Sequence, residues 1–245
     1  MDGTFHSALQ MCSQLYALHG TVDGKSMPLV YALMTDKSQD SCGLIFRKLR
    51  ERILHLVSLF GPQIQWTYVM SDLERASMAA FRDTFPHVRV VRCYFHHCQA
   101  IHRYMCTRLH QKADYDEKGA FHAAARRIMC LALLPEAQIV DAFEELEDAM
   151  PPAVSDQCQR LLEYYAHTWL DEFQMETICV SELPDRTNNK IEGWHNRINS
   201  FLDRKKRGCH RTIRDLLKKE PHTFEAMVEQ HDAVSGSVLH DGESM

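Results

Sequence analysis

The sequence predicts a mixed α/β protein with a long all-helical stretch in its middle. Three observations predict this. Residues 1–94 alternate between short β-rich apolar runs and stretches of helical spacing. Residues 95–175 keep helical spacing almost throughout, broken by prolines and polar turns. Hydrophobic residues make up 45% of the 245, enough for a substantial core, which excludes global disorder.

Taken in order, DGTFHSA and QLYALHG read as short strands and PLVYALMT as a third. TVDGKS supplies turn chemistry between them through Asp23-Gly24, so the strands form an antiparallel meander. Leu44, Ile45, Leu49, Ile53, Leu56 and Leu59 recur near helical spacing, and Gly61-Pro62 ends that helix. WTYVMSD is a central strand. SDLERASMAAFRDTF is a helix with Ser71 or Asp72 near its N-cap, and HVRVVRCYF is another strand. Helices then occupy 96–112, 117–133, 136–149 and 154–173, separated by Pro135, Pro151 and Pro152 or by polar turns. Residues 176–187 read as irregular, with a short extended piece at TICVSE. TNNKIEGWHNRINSFLDR is a long helix capped by Thr187 or Asn188. A basic segment follows, then a helix over 222–233 and a frayed end.

The net charge of −5 and pI of 6.3 argue against nucleic-acid binding by the whole surface. One local asymmetry stands out: Arg197, Arg204, Lys205, Lys206, Arg207, Arg211, Arg214, Lys218 and Lys219. Phosphate binding is the functional reading of these cations, and a solvated helix surface is the alternative. RKKR also has the composition of a nuclear localisation signal, which predicts a nuclear protein. The nine cysteines are odd in number and irregularly spaced, and MDGTFHSALQ is not a signal peptide, so a reducing intracellular compartment is expected. No apolar run approaches the ~18 residues of a membrane span.

Three acids sit in distinctive phrases: Asp2 in MDGTF, Asp72 in YVMSDLERA and Glu192 in RTNNKIEGWHNRIN. A meander, a helix, then strand-helix-strand is the element order of the RNase H-like fold. There the first acid lies on the first strand, the second at the end of the fourth, and the third on a helix against the sheet. The expected fold class is therefore RNase H-like α/β (mixed sheet), with a large all-helical insertion between the second and third acidic residues. Residues 1–94 would form the first part of the core, 95–186 the insertion, 187–233 the core-completing helices with the third acid and basic segment, and 234–245 a flexible tail. Three carboxylates brought together could hold two Mg²⁺ or Mn²⁺ ions, which prefer hard oxygen ligands and serve phosphodiester chemistry.

Other residues support this site. Cys93, His96, His97, Cys98 and His102 are zinc-compatible types, but their pairs overlap in sequence with no intervening loop. Local packing and hydrogen bonding by Cys93 and His96 beside the acids is the favoured reading; contact of His96 with a phosphate or base stays open. On a helix, Glu192, His195, Asn196 and Asn199 share a polar face, while Ile191, Trp194, Ile198 and Phe201 form the apolar one. His195 and Asn199 are thus candidate supports for the site. Glu74 follows Asp72 closely, but a helix would turn it to another face, where it complements the helix dipole.

DGTF, the acid before LERA, the C-x-x-H within RCYFHHCQ and TNN-x-x-E-x-W-H, in that order, resemble the transposase domain of Mutator-like elements (MULE). The resemblance spans residues 2 to 202. It implies a DDE transposase that cleaves DNA and transfers strands using two Mg²⁺ or Mn²⁺ ions. Asp2, Asp72 and Glu192 would be the catalytic metal ligands, and Cys93 and His96 the C-x-x-H pair. The implied partner is DNA, both transposon ends and target, with action as a homodimer and no membrane. The likeness begins at the second residue, with no zinc-finger module before it. The expectation is a piece of a longer transposase or a transposon-derived host protein, the latter serving as a catalytically inactive DNA-associated or protein-interaction module. A generic RNase H-like nuclease fits the carboxylates but not the phrases.

Overall fold

The computed structural model describes residues 2–4, 12–22, 25–61, 66–72, 74–173, 175–203 and 218. The chain is mixed α/β. Its strands are β1 (Asp2–Thr4), β2 (Gln14–Val22), β3 (Lys25–Met34), β4 (Tyr68–Ser71) and β5 (Arg89–Arg92). Its longer helices are α1 (Gln39–Phe60), α2 (Arg75–Thr84), α3 (Tyr94–Thr107), α5 (Ala120–Cys130), α6 (Ile139–Asp148), α7 (Ser155–Tyr165) and α9 (Asn189–Asp203). Two short ones are α4 (Lys112–Asp116) and α8 (Met175–Ile178). Among the described residues the strands pair as two sheets, β1-β2-β3 and β4-β5. None of the described helices is long and apolar enough to cross a membrane.

The chain divides into two compact units. One comprises Gly3–Thr35 and Gly193–Met245. There β2 and β3 pair antiparallel from Gln14↔Met34 to Val22↔Lys25, and the register slips between Leu18 and His19. The slip falls beside Pro28, which has no N–H to give the ladder, so a bulge at this point costs the sheet least. Trp194 and Ile198 pack on Leu15 and Ala17, with Tyr31 and Leu33 at the edge.

The other unit comprises Met1–Asp2 and Asp36–Glu192. Helix α1 starts at Ser38, whose Oγ accepts from the Ser41 amide, and stops at Gly61, whose φ of 79° suits a residue without Cβ. Phe46 of α1 meets Phe81 of α2 edge to face, at 5.1 Å between ring centres. From Ile101 to Cys179 the helices share one core, with Phe121, Ile128, Leu161, Tyr165 and Trp169 all buried.

Several sequence expectations shift. Helix α2 starts at Arg75, with Glu74 in the N-cap position rather than Ser71 or Asp72. The Asp72 side chain instead accepts from the Glu74 amide, and the helix starts only after Glu74. TICVSE does not form an extended piece. Met175–Ile178 is a helical turn, closed by Thr177 Oγ1 donating to the Phe173 carbonyl and the Cys179 amide to that of Met175. The segment 154–173 divides into α7 and a π-helical stretch, Ala166–Glu172. The Asp23-Gly24 turn, RKKR, the helix over 222–233 and the tail lie outside the described residues.

Candidate active site

Strands β4 and β5 run parallel, with Ser71 opposite Arg92. Parallel strands deliver their C-terminal ends to the same edge, the usual place for a ligand site in α/β sheets. Asp72 and Cys93 therefore emerge side by side, and the Cys93 amide donates to the Ser71 carbonyl at 2.8 Å. Helix α3 starts immediately after Cys93 and carries His96 out along that edge.

Two rungs then tie the start of α3 to the start of α9. In the first, the buried Cys93 thiol donates to the Asn188 side-chain oxygen at 3.0 Å, and the Asn188 amide donates back to sulfur at 3.4 Å. Burial raises the Cys93 pKa, which keeps the thiol protonated and able to donate. One turn along each helix is the second rung, with His96 Nε2 3.4 Å from Glu192 Oε1. At this distance the imidazole sits beside the carboxylate without a formed hydrogen bond. Both side chains are part-exposed, at 20% and 35%, so the pair borders solvent.

Asp72 is half-buried and held by its own turn: Oδ1 accepts from the Glu74 amide at 3.2 Å, with the Ser71 hydroxyl at 3.4 Å. It lines a cavity of about 260 Å³ with Glu74, His96, Gln99, Ala100 and Arg103. His96 thus links the Asp72 cavity to Glu192. Glu74 does not turn to another face as expected. Because α2 begins after it, Glu74 stays next to the Asp72 carboxylate that its amide bonds, and both acids line one cavity. Glu74 also pairs with Lys37 at 3.1 Å.

The remaining zinc-compatible side chains find separate surroundings. His97 is enclosed by the Trp169 and Tyr165 rings, with centroids 4.4 and 5.7 Å away, and burial depresses its pKa to about 3. The Cys98 pKa is raised by burial, and His102 packs on Cys106 and Tyr115. Among the described residues no three His, Cys, Asp or Glu side chains are grouped to hold a metal ion.

Asp2 lies on β1, with its side chain outside the described residues, as is that of Asn199. His195 departs from the polar face assigned to it. It is 6% exposed, because Ile191, Trp194, His195 and Ile198 follow i, i+3, i+4, i+7 spacing and form one buried stripe. Arg197 is exposed on α9, and Lys218 is exposed. Arg204, Lys205, Lys206, Arg207, Arg211, Arg214 and Lys219 lie outside the described residues. Sequence reasoning missed Gln99 and Arg103, although i+3 and i+7 from His96 was the available signal.

Compared with known protein families, residues 1–100 match the MULE transposase domain. The match covers the first 100 of the 245 residues. Neither a curated protein nor a solved structure matches the chain. Asp2, Asp72, Cys93, His96 and Gln99 lie within the matched transposase segment, while Arg103, Asn188 and Glu192 lie beyond it.

Proposed function

We propose that the chain is a DDE-type transposase domain of RNase H-like architecture, acting on DNA at transposon ends and target. The observation that carries the reading is that His96, which lines the Asp72 cavity, also lies 3.4 Å from Glu192. A histidine from the MULE-matched segment reaches the acid predicted from sequence to complete the site, although that acid lies beyond the match.

The donors suit Mg²⁺ or Mn²⁺, since Asp72 and Glu192 offer hard carboxylate oxygens next to solvent and Asp2 would supply the third. When bound, two such ions would activate the attacking oxygen and stabilise the leaving one. The protein's part is orientation. The Asp72 turn fixes one carboxylate, and His96 sits beside the other while Cys93 and Asn188 hold the two helix starts together. Arg197, exposed on α9, and the basic residues that follow it in sequence would hold the DNA backbone.

The test is nicking of supercoiled DNA in Mn²⁺. Cleavage that chelator abolishes, and that Asp72→Asn and Glu192→Gln each lose, supports the reading. A second reading, a catalytically inactive transposon-derived module, is favoured by the grouping of no three His, Cys, Asp or Glu side chains around a metal position among the described residues. Folded protein that binds DNA yet cleaves none would select it.

A further inference from the structure

We infer that Arg103, with Gln99 one turn before it on α3, grips a backbone phosphate of the DNA strand entering the Asp72 cavity. This rests on the transposase reading above and adds a positioning group to it. His96, Gln99 or Ala100, and Arg103 recur at i, i+3 or i+4, and i+7, so a single face of α3 forms one wall of the cavity. Asp72 and Glu74 line the same cavity.

Two carboxylates alone would repel a polyanionic strand, and a cation lining the same cavity gives it a favourable place to sit. Arg103 is the arginine of this cavity, and it is exposed. Among the described residues no carboxylate lies within ion-pair distance of its guanidinium, whereas Arg75 is held by Glu172 at 2.6 Å and Arg89 by the carbonyls of Glu176 and Cys179. A planar fork of donors left available beside a site for phosphodiester chemistry matches two oxygens of one phosphate. Gln99 adds a neutral amide that can bond a neighbouring sugar or base without adding charge.

The experiment is fluorescence anisotropy of a labelled 20-base-pair duplex with the full chain, titrated at several salt concentrations with Ca²⁺ present. Arg103→Ala, Arg103→Lys and Gln99→Ala are compared with Arg127→Ala, an exposed arginine of α5 outside the cavity. Arg103→Ala is expected to lose roughly tenfold in affinity, with a salt slope shallower by about one, while Arg127→Ala matches wild type. Arg103→Lys should keep the slope but recover only part of the affinity, because it restores charge without the fork. Equal affinity and slope for wild type and Arg103→Ala, both folded by circular dichroism, would overturn the inference and leave the transposase reading standing. A folded wild-type chain that binds no DNA would overturn both.

Discussion

Cys93 and Asn188 are bonded to each other twice, thiol to side-chain oxygen at 3.0 Å and amide to sulfur at 3.4 Å, across 95 positions of sequence. Both residues are buried, so neither group can exchange its partner for water. Cys93→Ala should therefore destabilise the protein by about 1–3 kcal/mol, leaving the Asn188 amide and oxygen without their partner. Cys93→Ser, which keeps a donor and an acceptor, should cost less. Urea unfolding of both variants measures the difference.

This pair shows where sequence reasoning reaches. RCYFHHCQ and TNNKIEGWHNRIN each stood out locally, and local pattern sufficed to place α3 and α9. That Cys93 bonds Asn188 and that His96 lies beside Glu192 depend on tertiary placement, which periodicity does not carry. His195 was misread for a related reason. A polar residue inside an i, i+3, i+4, i+7 stripe is drawn into the core with its neighbours. The Asp72 turn was hidden because aspartate suits both an N-cap and a turn before a helix, and only the backbone decides.

His97 is buried, neither ring nitrogen has a hydrogen-bond partner among the described residues, and burial first, then the nearby Arg92 charge, depress its pKa from 6.5 to about 3. Between those values the unfolded chain binds a proton that the folded chain refuses. Stability from this group is thus complete above pH 6.5 and is lost as pH falls toward 3. His97→Leu should flatten the pH dependence of stability in that window by up to about 1.4 kcal/mol per pH unit. Chemical denaturation at pH 7, 6, 5 and 4 measures both slopes.

Arg92 is 2% exposed, with its guanidinium 3.4 Å from the Phe173 ring centre. Its Nε and Nη1 have no hydrogen-bond partner among the described residues, and burial, with Arg75 and Arg82, lowers its pKa to about 9. A buried cation so poorly compensated costs more desolvation than it recovers. Arg92→Met, which keeps an apolar stem of similar reach and removes the charged guanidinium, should raise stability by about 1–3 kcal/mol. A lower melting temperature for Arg92→Met would show that the contact with Phe173 outweighs desolvation.

Trp194 is 4% exposed, with the His19 and Tyr31 rings 5.0 and 5.5 Å from its own. Trp194→Ala should cost about 3–5 kcal/mol through lost burial and an open cavity. Its signature is local: hydrogen exchange should accelerate first in β2 and β3, before the core around Trp169.

The central claim is that Asp72 and Glu192 serve one metal site with His96 orienting the second acid. Calorimetric titration of Mn²⁺ into the wild-type chain and into Asp72→Ala, Glu192→Ala and His96→Ala tests it most directly. The account predicts binding by wild type, loss in both acid variants, and roughly 10- to 100-fold weakening in His96→Ala. Mn²⁺ binding that survives either acid substitution, or none in a folded wild-type chain, would contradict it.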